Sequence, residues 1–342
     1  MHNCALCYTL SIKLQIEWKM KPMEDPEKIN DAIRAARMFY YQNMTTEGIA
    51  RELNVSRSTI SRLLTFARQM GLVDIRIIDP NERPQKLEKK IVEKLNIKRA
   101  HVVPVPAIAG EAEWLDRVAQ YTANYLNTIF KSNMILGIAW GTTLSAISRH
   151  LLPKNTHDAQ IVQLNGAGNM QTMGIEYASE IIMRFAQNYQ AAAHLFPVPT
   201  FFDYAETKKS LWQEGSIKRI LDLQNRADLL LYSIGAVNAG IPSHVYSGGF
   251  LEQSDYAELK KGNVAGDIAT VFFRENGSFG DIPINKRTSG PNLELFQNNY
   301  GVCVVSGLSK VRGLYSAIKG GLIKELIVDE PTARRLVETY IT

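Results

Sequence analysis

At 342 residues the chain is about twice the length of an ordinary domain, so two domains are the starting expectation; 45% hydrophobic and 21% charged residues supply a core and exclude wholesale disorder. No stretch approaches the roughly 18 uncharged apolar residues of a spanning helix, and three cysteines, Cys4, Cys7 and Cys303, are too few for a disulfide framework, so a cytoplasmic protein without a membrane partner is expected. The net charge of +5 is mild but uneven: seven arginines from Arg34 to Arg76 stand against Glu47, Glu52 and Asp74 alone. A local basic cluster on a small helical unit is the electrostatic footprint of a nucleic-acid-binding surface, although surface arginines also make an ordinary solvated face.

Residues 1–25 read as a tail. They lack a secretory pattern, Cys4 and Cys7 lack the second pair of a zinc site, and Met20 or Met23 is a candidate translation start. From 26 to 79 the apolar residues follow helical spacing, as in Ile33, Ala36 and Tyr40, then Ile49 and Leu53, then Ile60, Leu63 and Leu64. Within it, TTEGIARELNVSRSTISRL has helix-turn-helix spacing: Ala50 is small where two helices cross, Asn54 tolerates a left-handed turn, and Ile60 with Leu63 faces inward. Ser56 is placed to cap the second helix. With Thr46, it joins Arg57, Ser58, Thr59, Ser61 and Arg62 as the candidate DNA contacts, arginine being suited to guanine and hydroxyls to bases or phosphates. A polar helical hairpin of no special function is the bland alternative. Residues 71–79 alternate like the strands of a winged helix, with Arg76 near a flanking phosphate, and 80–85, holding Pro80 and Pro84, read as a linker.

Beyond the linker, residues 86–342 alternate strand-length apolar runs (100–105, 134–140, 159–164, 195–198, 228–234, 302–306, 326–328) with amphipathic helical stretches, which predicts an α/β domain with a doubly covered parallel sheet. Four loops after these runs carry ligand-suited residues. Gly141, Thr142 and Thr143 open a helix with free N–H groups and two hydroxyls, a phosphate cradle or simply a cap. Asn165 offers a donor and an acceptor to a sugar hydroxyl, and Gly166 permits close approach of a ligand to backbone. Gly235 lies in a third loop, Lys310 brings a cation to the fourth, and Asp267 either accepts from sugar hydroxyls or closes a turn. Lys310 suits phosphate neutralisation or an imine with an open-chain aldehyde; a solvated surface lysine is its plain alternative. The histidines His101, His150, His157, His194 and His244 are scattered, so no catalytic residue, metal or cofactor is expected and recognition comes first.

Both halves together resemble SorC-type sugar-binding transcriptional regulators over about residues 30–341. The likeness is carried, in order, by AARMFYYQNMTTEGIARELNVSRSTISRLL, GIAWGTTL, IVQLNGAGN, YSIGAV, VAGDIATVFF, INKRTSG, GLSKVRGLYSAIKGG and LIVDEPTARRL, and is greatest to the deoxyribonucleoside regulator subgroup. The resemblance implies an effector domain folded like ribose-phosphate isomerase and glucosamine-phosphate deaminase. It further implies a phosphorylated sugar as effector, such as deoxyribose 5-phosphate or another pentose or hexose phosphate, with phosphate at Gly141, Thr142 and Thr143 and further contacts near Asn165, Asp267 and Lys310. It also implies double-stranded operator DNA as partner, a homotetramer, and a repressor-like response in which effector loosens or rearranges operator binding. NGAGN stands where N-G-G is usual, and Asn165 forms no imine, so reversible, non-covalent binding is expected. The rival is a sugar-phosphate isomerase or deaminase with an accessory DNA-binding domain, using Glu176, Asp203, Asp267 or Asp329 as base.

Overall fold

The computed structural model describes residues 26–42, 44–73, 84–106, 110–168, 175–236 and 243–341. Two compact units divide the chain, Met1–Ile78 and Asp79–Thr342. In the first, α1 (Pro26–Tyr40), α2 (Thr46–Glu52) and α3 (Arg57–Gln69) enclose a core of Ala32, Ala35, Ala36, Ile49, Ala50, Ile60, Leu64, Phe66 and Ala67. The three alanines of α1 let its backbone approach α3, so the buried stripe runs one position away from the expected Ile33 and Tyr40, which are half-buried, and Leu64 is buried more fully than Leu63. Asn54, at φ +52°, makes the left-handed turn between α2 and α3. Ser56 caps α3, its Oγ accepting from the Thr59 N–H at 3.1 Å. The expected wing, including Arg76, and most of the expected linker lie outside the described residues beyond Val73.

The second unit begins with α4 (Gln85–Leu95) and is built on a seven-stranded sheet whose ladders are all parallel. Its strands are β1 (Arg99–Val103), β2 (Ile135–Ile138), β3 (Gln160–Gln163), β4 (Ala192–His194), β5 (Leu229–Tyr232), β8 (Gly301–Val305) and β9 (Glu325–Asp329), while β6 (Val264–Ile268) and β7 (Val271–Arg274) form a separate antiparallel hairpin. Strand order is β1-β9-β8-β5-β2-β3-β4. The helices are α5 (Glu111–Ile129), α6 (Thr142–Arg149), α7 (Ile175–Tyr189), α8 (Ala205–Leu211), α9 (Gly215–Asn225), α10 (His244–Ser247), α11 (Gln253–Lys261), α12 (Glu294–Asn298), α13 (Val311–Lys319) and α14 (Glu330–Tyr340).

Alternate residues of one strand enter different cores: Leu229 and Leu231 pack with α5, α6 and α7, while Leu230 and Tyr232 pack with α4, α13 and α14. Burial on both faces is why the strands read as unbroken apolar runs.

Two expectations need correction. The fourth strand is Ala192–His194 rather than 195–198. Pro197 and Pro199 have no N–H to give a ladder, and the Phe196 N–H goes instead to the Gln163 side-chain oxygen at 3.1 Å. The β6–β7 hairpin was not expected as strands, because its tight turn is Ala269-Thr270 and not the usual Asn-Gly or Asp-Gly. Both turn residues have positive φ, +48° and +67°. Thr270 is β-branched and therefore strained there, and the Asp267 carboxylate holds the turn by accepting the Thr270 N–H at 3.2 Å.

Removing the α3 cap with Ser56→Ala is expected to cost the N-terminal unit about 1 kcal/mol, against less than about 0.5 kcal/mol for Ser61→Ala on the exposed face. Urea unfolding followed by circular dichroism measures both.

Candidate effector crevice and DNA-facing helix

From β2 the chain crosses to β3 on one side, and from β5 it proceeds to β8 on the other. Strand order therefore reverses between β2 and β5, where the loops at the carboxyl ends diverge and leave a crevice. Its walls include Gly141, Thr142, Thr143, Gly235, Asp267 and Lys310. Six of the eight expected effector residues, distant in sequence, thus meet in one place.

Gly141 sits immediately before α6 at φ +153°, a conformation suited to glycine. The first turn of α6 follows, so its backbone N–H groups open into the crevice without intrahelical acceptors. Thr143 is buried, accepting from the Ser233 hydroxyl at 3.1 Å. Thr142 hydrogen-bonds with Tyr177 of α7.

Asp267 lines the same crevice. Its Oδ1 accepts from the Tyr246 hydroxyl at 3.0 Å and its backbone exchanges hydrogen bonds with Gly235 at 2.9 and 3.2 Å. A β-carbon on Gly235 would lie 2.0 Å from Asp267 Oδ1, so glycine is required for the carboxylate to stand where it does. Burial pushes the Asp267 carboxyl up to about 6, against the pull of Tyr246, the Thr270 N–H and Lys310.

Lys310 ends the loop after β8. Gly307, at φ +109°, turns that loop, and its N–H donates to Asp329 Oδ2 at 3.0 Å and Thr332 Oγ1 at 3.1 Å. The Leu308 N–H donates to Glu111 at 3.2 Å. The lysine is therefore fixed from two sides. It is 7% exposed yet has no hydrogen bond or ion pair among the described residues. Burial lowers the ammonium pKa while Cys303, Asp267, Glu111 and Asp329 hold it up. It is not the solvated surface lysine of the plain alternative. Ser306, at the start of the same loop, also has a buried hydroxyl without a partner among the described residues.

Asn165 and Gly166 fall behind the crevice wall. The Asn165 carbonyl accepts from Trp140 Nε1 at 3.1 Å and Gln163 Nε2 at 2.7 Å, while its buried amide finds no partner among the described residues. Gly166 was expected to let a ligand approach backbone. A β-carbon there would instead lie 2.3 Å from the Val198 carbonyl oxygen, and its N–H donates to Ser289, so the close approach is made by the chain itself. Asn169 and Val237, at the far ends of the second and third loops, lie outside the described residues.

Sequence reasoning missed Ser233, Tyr246 and Thr270, which carry no local motif. Asp329 and Thr332 had a readable signal: Asp-Glu-Pro-Thr after an apolar run is a helix start, and Asp329 accepts from the Thr332 N–H at 2.8 Å. That use as a cap removes Asp329 from the list of candidate bases. Asp203 lines a different cleft beside β4, and the Glu176 side chain is outside the described residues. The described histidines are scattered as expected: His101 pairs with Glu325 and His150 with Asp116, both at 2.6 Å, and His194 bonds to Gln160 at 3.0 Å. Among the described residues no group of three His, Cys, Asp or Glu is arranged to hold a metal.

On the N-terminal unit, Arg57, Ser58, Ser61 and Arg62 are exposed along one side of α3. Ser56 and the half-buried Thr59 are engaged in the cap, their hydroxyls 2.8 Å apart. Thr46 donates to Glu47 at 3.2 Å, and Glu47 pairs with Arg57 at 2.9 Å. Arg62 Nε donates to the Ser58 carbonyl at 3.3 Å.

Residues 79–338 match the family model described as "Putative sugar-binding domain", and residues 34–69 match that of "Sigma-70, region 4". The chain is 35% identical over 316 residues to the deoxyribonucleoside regulator of Bacillus subtilis (strain 168), covering 92% of this chain and 99% of that protein. It is 29% identical over 322 residues to the sorbitol operon regulator of Klebsiella pneumoniae, covering 92% and 100%. Among solved structures, a domain of a possible sugar-binding transcriptional regulator from Arthrobacter aurescens TC1 is similar at TM-score 0.70 and 48% identity, over 76% of this chain and all of that one. The full-length sorbitol operon regulator SorC from Klebsiella pneumoniae is similar at 0.67 and 25% identity, over 91% and 99%.

Burial of the Asp267 carboxyl couples the stability of the domain to pH. The folded pKa of this carboxyl lies above the ordinary 3.8, so its stabilising contribution is complete below 3.8 and is lost as pH rises through about 6. The loss reaches about 3 kcal/mol at about pH 8 and roughly half of that at about pH 5. Relative to the wild type, Asp267→Asn is therefore expected to gain about 1.4 kcal/mol more at the higher pH than at the lower, read from urea unfolding at the two values.

Proposed function

The chain belongs to the SorC-type sugar-binding transcriptional regulators, and from that premise we propose that its effector is a phosphorylated sugar, such as deoxyribose 5-phosphate or a related pentose or hexose phosphate, bound reversibly in the β2–β5 crevice. The chain is a DNA-binding regulator and not an enzyme, in line with relatives named as regulators of transcription. Among the described residues no helix is long and apolar enough to cross a membrane.

One observation supports the anionic ligand above the others: Lys310 is a buried cation with no hydrogen bond or ion pair among the described residues, at a crevice that is also lined by a helix N-terminus. Burying an unpaired ammonium costs several kcal/mol. A helix N-terminus likewise favours negative charge. Two features that are each costly or unsatisfied alone are answered by one phosphate, placed on Gly141, Thr142, Thr143 and Lys310. Asp267, whose position depends on Gly235, takes a sugar hydroxyl.

Operator contacts belong to Arg57, Ser58, Ser61 and Arg62, with Thr46 at the neighbouring helix and Ser56 and Thr59 holding the cap. In the functional assembly, a homotetramer, the effector acts by favouring one arrangement of helix-turn-helix pairs over another. A phosphosugar bound equally by both arrangements would change nothing.

Thermal melting of the purified protein against phosphorylated and free pentoses, deoxypentoses, hexoses and polyols tests this. Only phosphorylated sugars should raise the midpoint, by the equivalent of about 2.7 kcal/mol when ligand is at about 100 times its Kd. An equal shift with free sugars overturns the phosphate assignment. Thr142→Ala combined with Thr143→Ala is expected to keep operator affinity while weakening effector binding by at least roughly tenfold, from two lost bonds to a charged group. A normal response in that variant removes the cradle.

A further inference from the structure

The ion pair between Arg57 and Glu47 joins the first residue of α3 to the second residue of α2. Both side chains are largely exposed, 69% and 49%. An exposed pair of this kind contributes little to stability, and the two helices are already joined by buried Ile49, Ala50, Ile60 and Leu64. The pair is therefore not needed to hold the hairpin together. It does hold the arginine in one direction.

The contact is made by Arg57 Nη1 on Glu47 Oε1 at 2.9 Å, and the other carboxylate oxygen accepts from the Thr46 hydroxyl at 3.2 Å. The carboxylate is thus itself braced. A guanidinium has five N–H donors in a rigid plane, so one edge stays available for the two parallel bonds that guanine O6 and N7 accept. Fixing the plane beforehand lowers the entropy lost when those bonds form. By pairing with the guanidinium, the carboxylate draws Arg57 away from purely electrostatic contacts with backbone phosphate.

We propose that Glu47 is the positioning residue for base readout by Arg57: it orients the guanidinium toward a guanine edge and suppresses sequence-independent binding to the phosphate backbone. This rests on the reading of α3 as the helix that meets operator DNA. The occupant of the arginine's free edge is a purine in duplex DNA, and Glu47 acts only through Arg57.

The test begins with selection of bound sites from a random-sequence duplex pool by the full-length protein. Affinities for the selected duplex and for a scrambled duplex of the same length and composition are then measured for the wild type, Glu47→Ala, Arg57→Ala and the double variant. Glu47→Ala is expected to bind the scrambled duplex roughly two- to fivefold more tightly and to lose at least about fivefold of the ratio between selected and scrambled affinity. In the Arg57→Ala background it is expected to change that ratio no further. Melting midpoints should be unchanged in all three variants, which separates readout from folding.

If Arg57→Ala lowers the ratio and Glu47→Ala does not, the positioning role is overturned while the reading of α3 stands. A Glu47→Ala effect that is fully additive with Arg57→Ala also overturns it. If Arg57→Ala leaves both affinities unchanged, α3 does not read bases through this residue, and the positioning role fails with that reading.

Discussion

A parallel sheet buried on both faces leaves its own surface with no room for polar chemistry. In this chain Leu229 and Leu231 face one core and Leu230 and Tyr232 the other, and the same holds along β8. Every charged or hydrogen-bonding group that meets a ligand must then come from a strand end. Reversal of strand order between β2 and β5 decides which end becomes a crevice, because there alone in this sheet the outgoing connections part. The placement of Gly141, Gly235 and Lys310 follows from that constraint before any question of ligand identity arises.

The crevice carries its charges at a cost that the surrounding loops are built to bear. Lys310 is desolvated without a hydrogen-bond partner among the described residues, and Asp267 is desolvated with three hydrogen-bonded neighbours. Neither side chain collapses out of the site. Asp329 and Thr332 clamp the backbone before Lys310, and the Gly235 pairing clamps the backbone of Asp267. Strain at Thr270 is part of the same arrangement, since the carboxylate that points into the crevice also holds the turn that is hardest to make.

Much of this was legible in the sequence, for identifiable reasons. Apolar runs survive as strands because double-sided burial demands continuity, and the GTT loop is visible because glycine, hydroxyls and a helix start are adjacent. The helix-turn-helix was readable from Ala50, Asn54 and Ser56, each answering a local geometric requirement. The fourth strand was displaced because Pro197 and Pro199 withdraw donors that hydrophobicity does not count. The β6–β7 hairpin escaped because its Ala-Thr turn is stabilised by Asp267 rather than by turn propensity. Gly166 misled in another way: a glycine demanded by close backbone packing looks, in one dimension, the same as a glycine left open for a ligand.

The Asp267 corner also constrains the order of events during folding. Its pieces, Gly235, Tyr246 and Asp267, meet a wall drawn from Thr142 and Thr143 on one side and Lys310 on the other. Contacts spanning such separations close late, because the intervening loops must lose their freedom first. A nascent chain that ends before Lys310 and the α14 cap has a helix N-terminus but neither the cation nor the clamp that fixes it. The crevice is consequently a property of the finished domain, complete only once the chain has been made through α14.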